Sequence, residues 1–200
     1  NGTVMRVDQL YLLNGNSHLL AFTTAHLYEY NTTTTTWDNI TRGETVEDCE
    51  DAWTANANVT ATADSSVKLR GSNSSKLVIA AAFTTGIAAY ENISSVDLSD
   101  RTGLHFWIYS TVATAAGDLQ IVLDDTNACV SVLETLNVPA LTANTWKAVS
   151  VDFATPGNLT AILSVGLKVA VDNGAQTVYI DDIRATNRFT GDEDNRFSTA

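Results

Sequence analysis

The sequence predicts an all-β protein in which a jelly-roll β-sandwich follows an N-terminal antiparallel β-meander. Short apolar or alternating segments recur about every ten residues and are separated by Gly, Asn and Asp, as in sandwich proteins. Thr, Val, Ala and Ser are abundant, and this bias toward small and β-branched residues favours strands over helices. No long 3.6-residue periodicity is present, and only residues 159–163 suggest a helical turn.

Residues 1–43 form the predicted meander. Strand patterns occupy residues 4–13, 18–24, 26–30 and 37–41. Asn14-Gly15, between the first two, is a strong hairpin signal. Four short strands in this length are about the size of one propeller blade, and the pattern also fits an ordinary meander that extends the next domain.

Residues 44–187 carry the strand patterns of the predicted sandwich, and Arg42-Gly43 is the predicted boundary between the two parts. Strands are predicted at 59–63, 67–70, 76–83, 86–90, 104–109, 119–123, 130–138, 146–153, 162–171 and 177–183. This spacing with turn residues between strands is typical of a β-sandwich. Residues 188–200 are predicted to be an acidic tail or the start of a further strand.

The segment around residues 102–125 has two alternating strands, and its side chains supply the predicted core and the predicted binding face. The first strand directs an apolar set into the core: Leu104, Phe106 and Ile108. The opposite side of that strand carries aromatic side chains: His105, Trp107 and Tyr109. We expect the next strand to add polar groups to this aromatic set: Gln120 and Asp124, with Val122 between them. Other aromatic residues are assigned to packing: Trp53, Trp146 and Phe153.

The net charge of −12 and pI of about 4.4 oppose binding to nucleic acid or to anionic membranes, because both depend on Lys and Arg. No apolar run is long enough to cross a bilayer, so no membrane insertion is expected. The charge fits a soluble extracellular or saline setting, or cation binding, or solubility alone.

Two features leave alternatives open. Cys49 and Cys129 are the two cysteines, and they are either disulfide-bonded or two buried free thiols. Seven Asn-X-Ser/Thr sites, a mild excess over chance, would carry glycans only in a eukaryotic secreted protein.

The sequence predicts no enzyme activity. It contains no G-x-S-x-G elbow, no P-loop and no dinucleotide-binding fingerprint, and its histidines form no metal-ligand pattern with a cysteine. The acidic pairs Asp124-Asp125 and Asp181-Asp182 are adjacent on strands, so their side chains point to opposite faces and cannot flank one glycosidic bond.

Five segments in order resemble the galactose-binding-like jelly rolls that include many carbohydrate-binding modules. They read VEDCEDAW, RGSNSSKLVI, DLSDRTGLHFWIYS, ANTWKAVSVDF and VYIDDI. The resemblance implies a non-catalytic module whose partner is a glycan or polysaccharide. The sugar would contact the set predicted above: His105, Trp107, Tyr109, Gln120 and Asp124.

The same resemblance implies a structural Ca²⁺ between the first and last strands. The matching residues are Glu50 and Asp181, with Asp48, Asp51 and Asp182 nearby. Carboxylate oxygens are the ligands that Ca²⁺ prefers, and two acidic clusters brought together by strand pairing would repel without a cation.

The segment LLAFTTAHLYEYNTTTTTWDNIT resembles one blade of a kelch-like or WD-like propeller, and propeller segments of tailed-phage structural proteins. One blade cannot bury both faces alone, so the partners would be other subunits of an assembly or missing propeller blades. The alternative function is therefore a structural subunit of a virion, phage tail or extracellular assembly, with the jelly roll as a decoration domain. Either function implies an extracellular or virion-associated location.

Overall fold

The computed structural model describes residues 3–11, 17–23, 27–31, 35–39 and 43–186. The chain divides into two compact units between Gly43 and Glu44, and both are built from antiparallel strands. The predicted turn at Asn14-Gly15 and the predicted tail, 188–200, lie outside the described residues. None of the described helices is long and apolar enough to span a membrane.

The first unit is the predicted four-stranded meander, with strand order β1-β2-β3-β4. Its strands are β1 (Val4–Tyr11), β2 (Ser17–Thr23), β3 (Leu27–Asn31) and β4 (Thr36–Asn39). The pairing of β1 with β2 shifts between Val4 and Arg6, where β1 has one extra residue. Leu20 and Ala21 of β2 are buried, whereas several apolar side chains of β1 are exposed.

The second unit is a sandwich of two antiparallel sheets, which confirms the predicted fold class. Its strands are β5 (Glu44–Glu47), β6 (Thr54–Ala55), β7 (Val59–Asp64), β8 (Ser74–Ile79), β9 (Gly86–Val96), β10 (Gly103–Ser110), β11 (Leu119–Asp124), β12 (Glu134–Asn137), β13 (Thr145–Asp152), β14 (Ile162–Val169) and β15 (Gln176–Thr186). One sheet has the order β13-β10-β15-β8-β7, with β5 also paired to β15. The other has the order β12-β11-β14-β9-β6.

The core lies between the two sheets and receives every second side chain of the central strands. Leu104, Phe106 and Ile108 are fully buried there, as the alternation predicted. Phe153 and Trp53 are also buried, in agreement with the packing role assigned to them. Burial of these apolar side chains between two sheets is the main stabilising contribution to a sandwich.

Several sequence predictions are wrong in detail. The strands β10 and β11 follow one another in the chain but lie in different sheets, so β11 is no neighbour of β10. Residues 67–70 form a bend rather than a strand, and only Glu134–Asn137 of the predicted strand 130–138 is extended. The predicted helical turn at 159–163 is displaced to Pro156–Asn158, where a short 3₁₀ turn begins at a proline.

Cys49 and Cys129 are both buried and free. Of the two alternatives that the sequence leaves open, the structure therefore supports two buried thiols. Burial raises the pKa of each thiol, which keeps both in the unreactive protonated form.

Candidate functional site

The outward side of the six-stranded sheet carries a group of aromatic side chains, which we call the aromatic face: His105, Trp107, Tyr109, Trp146 and Tyr179. The burial of β10 alternates, so that its three aromatic-face residues are half-buried while their sequence neighbours are fully buried. In the pairing with β13, Tyr109 lies opposite Trp146 and Trp107 lies opposite Ala148. Tyr179 comes from β15, the neighbour of β10 on its other side. The face thus combines three adjacent strands.

Three of these rings pack against one another. The ring centroids of Tyr109 and Tyr179 are 5.4 Å apart at an interplanar angle of 85°. Tyr109 and Trp146 are 5.7 Å apart at 57°, and Trp146 and Tyr179 are 6.5 Å apart at 58°. Such tilted and edge-to-face arrangements are favourable for aromatic pairs. The Tyr109 hydroxyl donates to Asn144 Oδ1 at 3.2 Å, which fixes the outer end of that ring.

A charged pair lies at one side of the aromatic face. Lys76 Nζ is 5.6 Å from the centroid of the Tyr179 ring and 3.0 Å from Asp64 Oδ2. The hydrogen bond between them raises the pKa of Lys76 and lowers the pKa of Asp64. Both groups are therefore charged near neutral pH, and their charges offset each other beside the rings.

His105 extends the face along β10 as a neutral hydrogen-bonding group. Its Nδ1 is 2.9 Å from Ser150 Oγ, and its ring meets that of Trp107 edge-on at 6.2 Å. Burial lowers the pKa of His105, the charge of Asp182 acts in the opposite direction, and Arg70 and Arg184 lower it further. The imidazole is therefore uncharged at neutral pH.

The prediction that β11 adds polar groups to this face is wrong, because β11 lies in the other sheet. Gln120 points away from the core there, and its Nε2 donates to Asn137 Oδ1 at 2.8 Å. Asp124 is fully buried, and its carboxylate accepts bonds from Thr126 and from the backbone N–H of Ser131. A carboxylate with no exposed surface cannot contact a ligand from solvent.

Trp146 and Tyr179 also belong to the aromatic face, although the sequence analysis does not predict them there. The sequence analysis assigns Trp146 to packing in the core, which is wrong, because Trp146 is half-buried and points outward. A usable signal existed, since the alternation of β13 groups Trp146 with Ala148, Ser150 and Asp152, which are not core residues. The alternation of β15 gives a signal for Tyr179 as well, because Val178 and Ile180 on either side of it are core residues and Tyr179 therefore points to the other face.

The two main predicted metal ligands, Glu50 and Asp181, accept hydrogen bonds from backbone N–H groups of the protein itself. The Glu50 carboxylate accepts the backbone N–H groups of Ser72, at 2.8 and 3.0 Å, and of Asn73, at 3.0 Å. Asp181 Oδ2 accepts the backbone N–H groups of Leu69 at 2.7 Å and Arg70 at 2.9 Å. These two carboxylates hold the bend at residues 69–73 against the segment that follows β5 and against the last strand, β15.

The other two predicted ligands have different surroundings. Asp182 Oδ1 accepts a bond from Arg184 Nε at 2.6 Å, and Asp48 is exposed with its Oδ1 bonded to the backbone N–H of Glu50 at 3.2 Å. Within the described ranges, no group of three or more His, Cys, Asp or Glu side chains is arranged to hold a metal ion.

One carboxylate oxygen near this site nevertheless lacks a hydrogen-bond partner. Asp181 is fully buried, and its Oδ1 has no hydrogen-bond partner among the described residues. Burial raises the pKa of Asp181, and the charges of Asp182 and Glu50 add to this effect. A cation ligated by Oδ1 would relieve both the desolvation and the repulsion. Any such site would have to draw further oxygens from backbone carbonyls or water.

Glu47, which the sequence reading did not single out, belongs to the same acidic region. Its Oε1 accepts the backbone N–H of Cys49 at 2.9 Å, which supports the left-handed conformation of that residue, with φ of 62°. Burial raises the pKa of Glu47 to about 7, and the charges of Asp48, Asp51 and Glu91 contribute in the same direction.

No protein-family model and no curated protein matches the sequence. Among solved structures, one from a study of the promiscuous specificity of β-sandwich carbohydrate-binding modules is 14% identical, with a TM-score of 0.51 over 92% of this chain and 86% of its own. An exo-β-agarase structure is also 14% identical with a TM-score of 0.51, over 76% of this chain and 25% of its own.

A third similar structure is the family 11 carbohydrate-binding module of the Clostridium thermocellum cellulase Lic26A-Cel5E. It is 15% identical, with a TM-score of 0.48 over 74% of this chain and 97% of its own. At these identities the likeness concerns the fold alone. The chain therefore has the β-sandwich fold that is also found in carbohydrate-binding modules.

Proposed function

We propose that the protein is a non-catalytic glycan-binding module and that the aromatic face is its binding site. The observation that carries the proposal is the cluster of half-buried rings from neighbouring strands: Trp107, Tyr109 and Trp146, backed by the buried Tyr179. Aromatic side chains offer apolar surface at a small entropic cost, and the C–H faces of pyranose rings stack on such surface.

Hydrogen-bonding groups around the rings fit the hydroxyls of a sugar. The His105–Ser150 pair lies at one end of β10, and the amide of Asn144 lies beside the Tyr109 hydroxyl at the other. The charged groups nearby are matched, since Lys76 is paired with Asp64. A neutral glycan suits this surface better than an acidic one, because the chain's net charge of −12 repels polyanions.

The tilt of the rings favours a single glycan chain over a flat crystalline surface. A flat surface would need coplanar rings, whereas the two half-buried rings that pack together, Tyr109 and Trp146, are inclined at 57°. A flexible chain can twist so that successive sugar units meet differently oriented rings.

A binding role without catalysis is supported by the fold, since one of the similar structures, with a TM-score of 0.51, comes from a study of carbohydrate-binding modules. This support is analogy at the level of the fold, and the residues of the aromatic face carry the argument for the site.

The test is binding of the whole chain to soluble neutral polysaccharides, screened by affinity gel electrophoresis and quantified by calorimetry. We expect Trp107→Ala to weaken binding at least about tenfold, the equivalent of about 1.4 kcal/mol. Gln120→Ala, on the other sheet, is the matched control and should bind as the parent does. Loss of binding in Gln120→Ala with retention in Trp107→Ala would assign the site to the other face and refute the proposal.

A structural calcium ion near Asp181 and Glu50 is a separate proposal, supported by the unbonded Oδ1 of Asp181. If calcium binds the native state alone, EDTA should lower the melting temperature by several degrees and added CaCl₂ should restore it. Asp181→Asn should melt at the same temperature with and without EDTA. A parent melting curve that is identical in EDTA and CaCl₂ would rule out the ion.

A structural role in a virion, tail or other extracellular assembly is the second candidate function. The exposed apolar side chains of the meander favour it, in particular Met5 at 72% and Tyr11 at 71% exposure. Assembly and glycan binding involve different units of the chain, so one function does not exclude the other.

A further inference from the structure

The sheet of the first unit has an open edge at β1. Among the residues that the structure describes, β1 is hydrogen-bonded to β2 on one side and to no strand on the other. The strand VMRVDQLY is eight residues long and contains no Pro or Lys, two residues that commonly protect edge strands from association, and its charged residues are Arg6 and Asp8. Within the described part of the chain, the backbone N–H and C=O groups on its outer edge therefore have no partner strand.

Apolar side chains surround this edge. Met5 is 72% exposed, Tyr11 71%, Val4 58% and Val7 49%. On the adjacent strand β2, Leu19 at 38% lies on the same side of the sheet as Val7, whereas Phe22 at 39%, which is paired with Arg6, lies on the other side. Exposure of so many large apolar residues on one small sheet marks an interaction surface rather than scattered surface residues.

We propose that β1 is a dimerisation strand, which pairs antiparallel with β1 of a second copy of this chain so that the two meander sheets form one continuous sheet. A two-fold antiparallel pair places one residue directly opposite its own copy, and every other pair follows from that choice. The charges on β1 then select the register.

Val7 is the residue that the charges place on the two-fold axis. With Val7 opposite its copy, Arg6 of each chain lies opposite Asp8 of the other, which gives two favourable cross-strand pairs. The neighbouring symmetric registers are centred on Arg6 or on Asp8, and each places like charges directly opposite one another. Within one chain Arg6 and Asp8 already form an exposed ion pair. Both charges therefore lie on the same side of the sheet and are accessible to the partner.

The extent of the ladder limits its strength. The extra residue of β1 lies between Val4 and Arg6, so regular pairing is expected from Arg6 to Asp8 and is interrupted where Met5 would meet Gln9 of the partner. A short ladder with a modest apolar contact gives a weak dimer, and we expect a dissociation constant on the order of 10 µM. The proposal does not depend on glycan binding, which concerns the second unit.

The experiment is sedimentation equilibrium of the full chain over a concentration series around that value. The parent should show a monomer–dimer equilibrium. Arg6→Asp and Asp8→Arg should each be monomeric, with dimerisation weakened at least about tenfold, because each places two like-charged pairs across the axis.

An equimolar mixture of these two variants should recover the dimer, since every cross-strand pair between them again joins opposite charges. The mixture does not restore the ion pair within either chain, so recovery reports the contact between chains. Folding of each variant is checked by circular dichroism. Failure of the mixture to dimerise, with both variants folded, would overturn the proposal.

A second measurement tests the register. Val7→Cys should form a disulfide-linked dimer in air, because the two introduced thiols face each other across the axis, whereas Leu19→Cys on β2 should not. Cross-linking of Leu19→Cys alone would refute this register. Removal of residues 187–200 should leave the dimer unchanged. A parent that is monomeric until this segment is removed would identify the chain's own terminus as the occupant of the edge and overturn the proposal.

Discussion

The two outer faces of the sandwich have the same kind of strands but different surroundings. On the six-stranded sheet, Trp107, Tyr109 and Trp146 point outward and are half-buried. On the five-stranded sheet, Val122 and Asp124 also point away from the core, yet both are fully buried. One face has its polar and aromatic groups within reach of solvent, and the other is covered.

Residues 125–131, the segment after β11, cover this outer face, and we call this segment the cover. Asp124 accepts a bond from the Ser131 backbone at 2.7 Å, and the Ser164 hydroxyl on β14 donates to the Thr126 carbonyl at 2.6 Å. Cys129 is bonded to the same hydroxyl through its backbone N–H at 3.0 Å. The comparison teaches that a loop, rather than the strands, decides which outer face of this sandwich is open to solvent.

Removal of the Asp124 carboxylate should have the largest effect. Asp124→Ala leaves three donors without an acceptor, the N–H and hydroxyl of Thr126 and the N–H of Ser131. We expect a loss of about 3 kcal/mol in the free energy of unfolding, measured by denaturant titration. The exposed neighbour is the control, and Asp125→Ala should change stability by about 0.5 kcal/mol or less. Equal effects of the two substitutions would show that the cover is not anchored at Asp124.

Gly166 tests how closely the cover approaches β14. A Cβ at this position would lie 2.9 Å from Cys129 Sγ and 3.2 Å from Val122 Cγ2 and from the Ala89 carbonyl oxygen. Gly166→Ala should therefore cost about 2 kcal/mol of stability. In the double variant, Cys129→Ala should recover part of this loss. Gly157, whose Cβ would meet nothing within 4 Å, is the control, and Gly157→Ala should be nearly neutral. Strict additivity of the Gly166 and Cys129 substitutions would contradict the close contact.

The sequence predicts the inward side of this fold well, because the alternation of a strand has a fixed period of two. Leu104, Phe106 and Ile108 follow from that period alone, and all three are fully buried. The same period correctly separates His105, Trp107 and Tyr109 onto the outward side. Local physics therefore determines which side of each strand faces the core.

Sheet membership and loop cover could not be predicted in the same way, because both depend on distant parts of the chain. β10 lies between β13 and β15 rather than beside β11, so the expected joining of Trp107 with Asp124 fails. Asp124 is charged and was expected to be accessible, but donors from the following loop allow its burial. Trp146 shows the opposite error, since a large apolar side chain was assigned to the core although its alternation partners are polar or small.

Trp146→Ala sharpens the comparison from the side of the aromatic face. It removes the ring that packs against both Tyr109 and Tyr179, so we expect glycan affinity to fall about tenfold, or about 1.4 kcal/mol. Calorimetric titration with the polysaccharide that binds the parent measures this change. Val130, 79% exposed on the segment that covers the other face, is the control, and Val130→Ala should leave affinity unchanged. Unchanged affinity in Trp146→Ala would remove β13 from the site.

The smallest effect is the pH dependence that His105 gives to the aromatic face. Burial holds the pKa of His105 below its ordinary value of 6.5, so the unfolded chain binds a proton there more readily than the folded chain. Stability should therefore decrease as pH falls through about 6.5, because acid favours the state that binds more protons. His105→Gln lacks this site, and its unfolding free energy should fall less than that of the parent between pH 8 and pH 5. The other titratable groups are present in both proteins, so the difference between the two denaturation series reports on His105. An equal pH dependence of the unfolding free energy in the two proteins would show that the imidazole is as well solvated in the folded chain as in the unfolded chain. This end of the aromatic face would then be open to water, in contrast to the covered outer face of the five-stranded sheet.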